Sequence, residues 1–122
     1  MNLKTIGAFA VATCVGLSTS AFAHPHLRVG NPPANGTVTG AVKELHLTFS
    51  EVVSPKVSGI KVTDSKGNAI PTGLARQDAK NSKQLVVSLK TALKAGKYQL
   101  SWFAVGKDMH RVKGGYAFTV KS

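Results

Sequence analysis

The chain has 122 residues, with 16 Lys and Arg against 5 Asp and Glu, for a formal net charge of +11. Such a length fits one domain around one hydrophobic core. A single cysteine excludes a disulfide framework, and scattered lysines without a run or interleaved aromatics argue against a single-strand nucleic-acid platform.

Residues 1–23 read as a cleaved secretory signal. Lys4 gives a short positive start, and the apolar run over residues 6–17 is too short to span a bilayer. Ala21-Phe22-Ala23 has the small-x-small pattern that signal peptidase cuts after. Removing 23 of 122 residues leaves residues 24–122, a 99-residue domain; losing Lys4 lowers the charge to +10. Cys14 leaves with the signal. It is not read as a lipoprotein cysteine, because Thr13 fits poorly before it and much of the apolar run follows it. The exported chain is expected to be soluble, monomeric and without thiols. Its charge reads as a solvated surface.

Cleavage would make His24 the N-terminal residue. A terminal histidine offers a metal two nitrogens, the α-amine and the imidazole, and both groups lose their protons near neutral pH. A frayed, unused end is the ordinary fate of a terminus.

Short alternating segments separated by turn formers follow. Residues 27–29 start a first strand, and Asn31-Pro32-Pro33-Ala34-Asn35-Gly36 is a loop. Leu45, Leu47 and Phe49 alternate with polar neighbours. Ile60 and Val62 mark a strand ending at a turn over residues 64–68. Leu85, Val87 and Leu89 form another set, then Tyr98, Leu100 and Trp102, then Tyr116, Phe118 and Val120. No helical stripe of useful length occurs. About seven strands predict an all-β Greek-key β-sandwich or barrel, immunoglobulin-like or cupredoxin-like, with Trp102 in the core. The last two strands form a hairpin joined by residues 106–115.

That connection contains Asp108-Met109-His110. In an extended loop, residues i and i+2 point the same way, so one ion can meet both side chains. A carboxylate and an imidazole suit divalent transition metals, copper(II) above all. Alone, Asp-x-His is a common accident, since loop Asp residues usually cap turns.

Several ordered motifs together resemble the CopC family of periplasmic copper-binding proteins. They are the histidine at the mature N-terminus, the Asn-Pro-Pro-Ala-Asn-Gly loop, and Leu47-Thr48-Phe49-Ser50-Glu51. Gly96-Lys97-Tyr98-x-Leu100-x-Trp102, Asp108-x-His110 and Gly115-x-x-Phe118-x-Val120 complete the set. The resemblance implies one Cu(II) per mature chain, held by the His24 amine and imidazole, the Asp108 carboxylate and the His110 imidazole. It also implies a binding protein rather than an enzyme, which sequesters copper or passes it to an inner-membrane transporter of the CopD type, in copper resistance or homeostasis.

Three departures qualify the match. Met109 stands where the family usually has glycine. With only Met1 and Met109, no methionine-rich Cu(I) cluster can form. The start is His24-Pro25-His26, where proline lacks the amide proton that an N-terminal peptide chelate would use; His26 is a candidate additional nitrogen. His46, on the polar face of a strand, is expected to be solvated. Two other functions compete. A histidine-brace oxidase resembling lytic polysaccharide monooxygenases is disfavoured by a carboxylate that favours Cu(II). A basic binder of envelope surfaces would act regardless of copper.

Overall fold

Alternation of apolar and polar residues decides which face each strand presents. In the computed structural model, which describes residues 24–122, Leu45, Leu47 and Phe49 point into the core from one sheet. Leu100, Trp102, Tyr116, Phe118 and Val120 meet them from the other. Period-2 patterning of this kind is stable only when each sheet buries one face against a partner.

Eight strands form the two layers: β1 (Leu27–Asn31), β2 (Thr37–Thr39), β3 (Val42–Phe49), β4 (Gly59–Asp64), β5 (Arg76–Asp78), β6 (Asn81–Leu93), β7 (Gly96–Val105) and β8 (Arg111–Lys121). One sheet has the order β1-β3-β6-β5, the other β2-β8-β7-β4. The β-sandwich is thus as expected, and β2 and β5 are the additions. Both have only three residues and too few apolar positions to show an alternation. β2 pairs in parallel with the end of β8, Val38 against Val120.

Trp102 lies in the core, edge-on to Phe49 with ring centroids 5.0 Å apart. The turn after β4 is built by Asp64, whose Oδ1 accepts from the backbone N–H groups of Lys66 and Asn68. The Tyr116 hydroxyl is buried and donates to the Pro32 carbonyl at 2.6 Å, which fastens the proline loop to β8. Burial pushes that phenol up to about 12.

The β7–β8 hairpin pairs from Gly96 with Val120 to Val105 with Arg111. Its connection is therefore residues 106–110, shorter than the expected 106–115. Pairing continues through Lys113, Gly114 and Gly115, because the two glycines fit beneath Trp102 and Ser101 without interrupting the ladder.

Leu47 is fully buried and Leu74 is 93% exposed. Leu47→Ala is expected to cost roughly 2–5 kcal/mol. Leu74→Ala should stay within about 0.5 kcal/mol. Urea unfolding of the two variants checks the assignment of the core.

Candidate metal centre

The short β7–β8 connection holds its residues in a fixed order of turns. The Met109 amide donates to the Gly106 carbonyl at 3.1 Å, and the His110 amide donates to Asp108 Oδ1 at 3.1 Å. Met109 takes a left-handed backbone conformation, φ 66°. Such a conformation suits glycine and strains a residue with a side chain. The Met109 side chain is largely exposed.

Residues 24–26 reach this loop by packing. Pro25 is fully buried. A Cβ placed on Gly106 would lie 3.2 Å from Pro25 Cδ and 3.5 Å from Cγ, so the proline ring rests where glycine leaves room. One residue later, the His26 amide donates to Ser50 Oγ at 2.9 Å and the Ser50 amide to the His26 carbonyl at 2.8 Å. The chain is thus held at Pro25 and again at His26.

His24 then lies over the hairpin loop. Its Nδ1 is 2.6 Å from Asp108 Oδ2, and Nδ1 of His110 is 3.4 Å from the same oxygen. The two imidazole centroids are 5.3 Å apart. One ligand atom from each of His24, Asp108 and His110 falls within a 4.8 Å group. The structure thus brings together the three principal residues expected from sequence. His26 lies outside that group, with its backbone bonded to Ser50.

Exposure divides the three. The Asp108 side chain is only 11% exposed, against 54% for His24 and 74% for His110. Asp108 Oδ2 is buried and faces the two imidazole nitrogens. A buried carboxylate oxygen is costly unless a cation or donor meets it. Two imidazoles aimed at it form the donor set a divalent transition metal takes. Burial pushes the Asp108 carboxyl up. The His110 amide and the neighbouring His24 and His110 rings together hold it below the usual carboxylate range.

His46 corrects an expectation. It is half-buried rather than freely solvated, with Nε2 3.2 Å from Glu44 Oε1 and Nδ1 3.3 Å from Gln84 Oε1. Pairing of β3 with β6 places these side chains on one face. Arg76, 2.7 Å from Glu44, holds that carboxyl low. The sequence reading missed Pro25, Gly106 and Ser50. Only Ser50 carried a signal, as part of the strand-end motif; packing of Pro25 on Gly106 joins residues 81 positions apart and leaves no local trace.

A two-sheet β-sandwich with a histidine–carboxylate–histidine cluster at one end defines the class. The family described as the CopC domain matches residues 27–121, beginning three residues after His24. Protein YobA of Escherichia coli K12 is 40% identical over 114 residues, covering 93% of this chain and 92% of that protein. Copper resistance protein C of Xanthomonas campestris pv. juglandis is 38% identical over 109 residues, 85% of each chain. The crystal structure of PcoC, a methionine-rich copper resistance protein from Escherichia coli, matches with a TM-score of 0.73 and 35% identity, covering 81% of this chain and 100% of that one. The chain belongs to the CopC family.

The low carboxyl of Asp108 has a stability consequence. A group whose folded pKa lies below its unfolded value, about 3.9 for Asp, stabilises the fold above that value and stops doing so as pH falls through the folded one. In metal-free protein, wild type is expected to exceed Asp108→Asn in stability at pH 6, and the gap should close below about pH 4. Chemical unfolding of both proteins between pH 6 and 2 measures it; a constant gap would contradict this assignment.

Proposed function

We propose that this protein is exported to the periplasm and holds one Cu(II) per chain as cargo, for copper resistance or supply. The observation that carries the reading is the buried Asp108 Oδ2 faced by imidazole nitrogens of His24 and His110, with one ligand atom from each residue within 4.8 Å of the others. Membership of the CopC family, and the copper resistance named for its relatives, support copper as the metal.

The ligands follow from the chemistry of these residues. His24 and His110 would supply imidazole nitrogens and Asp108 an oxygen. Cleavage after Ala23, which lies outside the described residues, would add the His24 α-amine. Three nitrogens and one carboxylate oxygen suit Cu(II). Residues 24–122 contain no cysteine, and Met109 is their only methionine, so soft ligands for Cu(I) are scarce. In this respect the chain differs from methionine-rich PcoC.

Exposure of the two imidazoles leaves the ion reachable from solvent, which suits exchange more than permanent burial. We assign the protein a carrier role, with a membrane copper transporter of the CopD type as recipient. The role is binding, not turnover. Asp108 on the metal favours Cu(II), and the site residues form no nucleophile–base pair.

Extending the N-terminus by one residue before His24 converts the amine to an amide and removes a ligand. Cu(II) affinity is expected to fall by about tenfold or more, as it should for His110→Ala, while His46→Ala changes it by less than about twofold. Competitive Cu(II) titration compares the correctly processed, extended and substituted proteins. Equal affinity of the processed and extended forms overturns the amine as a ligand.

Copper retention should also fall with acid. Imidazole and amine ligands bind only when deprotonated, whereas Asp108, held low, stays ionised longest. Electron paramagnetic resonance across pH is expected to show nitrogen-rich coordination lost below neutral pH, before the carboxylate range is reached. Tight retention of Cu(I) in a competition assay would instead make Met109 a ligand.

A further inference from the structure

Next to the metal loop, the outer face of the β4-β7-β8 sheet carries a cleft that copper coordination does not use. Its volume is about 490 Å³, and its lining includes Lys61, Phe103, Arg111, Lys113 and Trp102. The register explains the grouping. Gly59 pairs with Phe103, which pairs with Lys113; Lys61 pairs with Ser101 on the next row; Arg111 closes the ladder opposite Val105, one residue after His110. Three cations from two strands therefore surround one aromatic ring.

The arrangement is organised. Gly59 has no side chain, and the Phe103 ring fills that space, 2.8 Å from where a Cβ would stand. The Arg111 guanidinium lies 4.0 Å from the Phe103 ring centroid. Stacking on an aromatic face holds the planar fork in place and leaves its edge free for a carboxylate or phosphate. None of the three cations is paired with a carboxylate among the described residues. No acidic side chain lines the cleft.

We infer that this cleft is the docking site for an acidic segment of the protein that exchanges copper with this one, with an Asp or Glu side chain seated on Arg111 between Lys61 and Lys113. Charge complementarity selects an anionic occupant. The concave shape selects a protruding side chain over a bilayer, which is met best by convex surfaces tipped with apolar residues. Continuity with His110 places the docked partner beside the metal centre. The inference rests on the proposed carrier role, and its test reads docking separately from copper binding.

A blocked hexaglutamate peptide titrated into metal-free protein is expected to bind saturably by isothermal titration calorimetry, and more weakly as salt rises. In a Lys61→Gln/Arg111→Gln/Lys113→Gln variant the affinity should fall by about tenfold or more. Lys66→Gln/Lys80→Gln/Lys83→Gln, with the same net charge, should match wild type. Cu(II) affinity should agree within about twofold among all three proteins, so a failed copper site shows itself separately. Equal peptide affinity in the two variants overturns the inference. So does a response to phosphatidylglycerol vesicles without one to the peptide, or an equal response to inorganic phosphate, since either assigns the cleft to a different anion.

Discussion

Packing of Pro25 on Gly106 is the contact on which the His24–Asp108–His110 cluster depends. His24 can face Asp108 and His110 only if its segment of chain is tied down beside them. Here a proline ring, fully buried, rests against a glycine in the hairpin loop. Proline brings little conformational freedom to lose. The paired hydrogen bonds between His26 and Ser50 then fix the direction of the chain. His24 arrives at Asp108 through these packing and backbone contacts.

The sandwich supplies the other half of the geometry. A ten-pair ladder between β7 and β8 gives the loop over residues 106–110 two rigid walls, with Trp102 and Phe118 anchoring them in the core. Asp108 sits where that loop folds back, so its carboxylate is buried while both imidazoles face water. The buried oxygen places charge where it is strong, and the exposed imidazoles stay open to solvent. Met109, in its left-handed conformation, holds the bend between Asp108 and His110 and carries the strain.

Much of this was legible in the sequence, for physical reasons. Strands such as β3 and β7 bury one face, so Leu45, Leu47, Phe49 and Tyr98, Leu100, Trp102 announce themselves by alternation. Asp108 and His110 are close in sequence, and the Ala21-Phe22-Ala23 pattern draws attention to His24. The three-residue strands left no pattern, because β2 and β5 borrow their order from β8 and β6. His46 looked solvated because its partners, Glu44 excepted, come from another strand. The Arg111–Phe103 stack is invisible for the same reason: cross-strand register sets it, and register is decided by the whole sheet.

Strand edges bear on how such a protein behaves at high concentration. An unpaired edge is a template for joining another chain. Of the four strands at sheet edges, β2 and β5 have three residues, β1 has five and β4 six. β1 and β5 are also interrupted by register shifts. β8 is long, and β2 covers only its last residues; ahead of these, the exposed stretch bears Arg111 and Lys113. A second molecule adding itself there would set like charges side by side. The fold therefore carries its own resistance to fibrous aggregation.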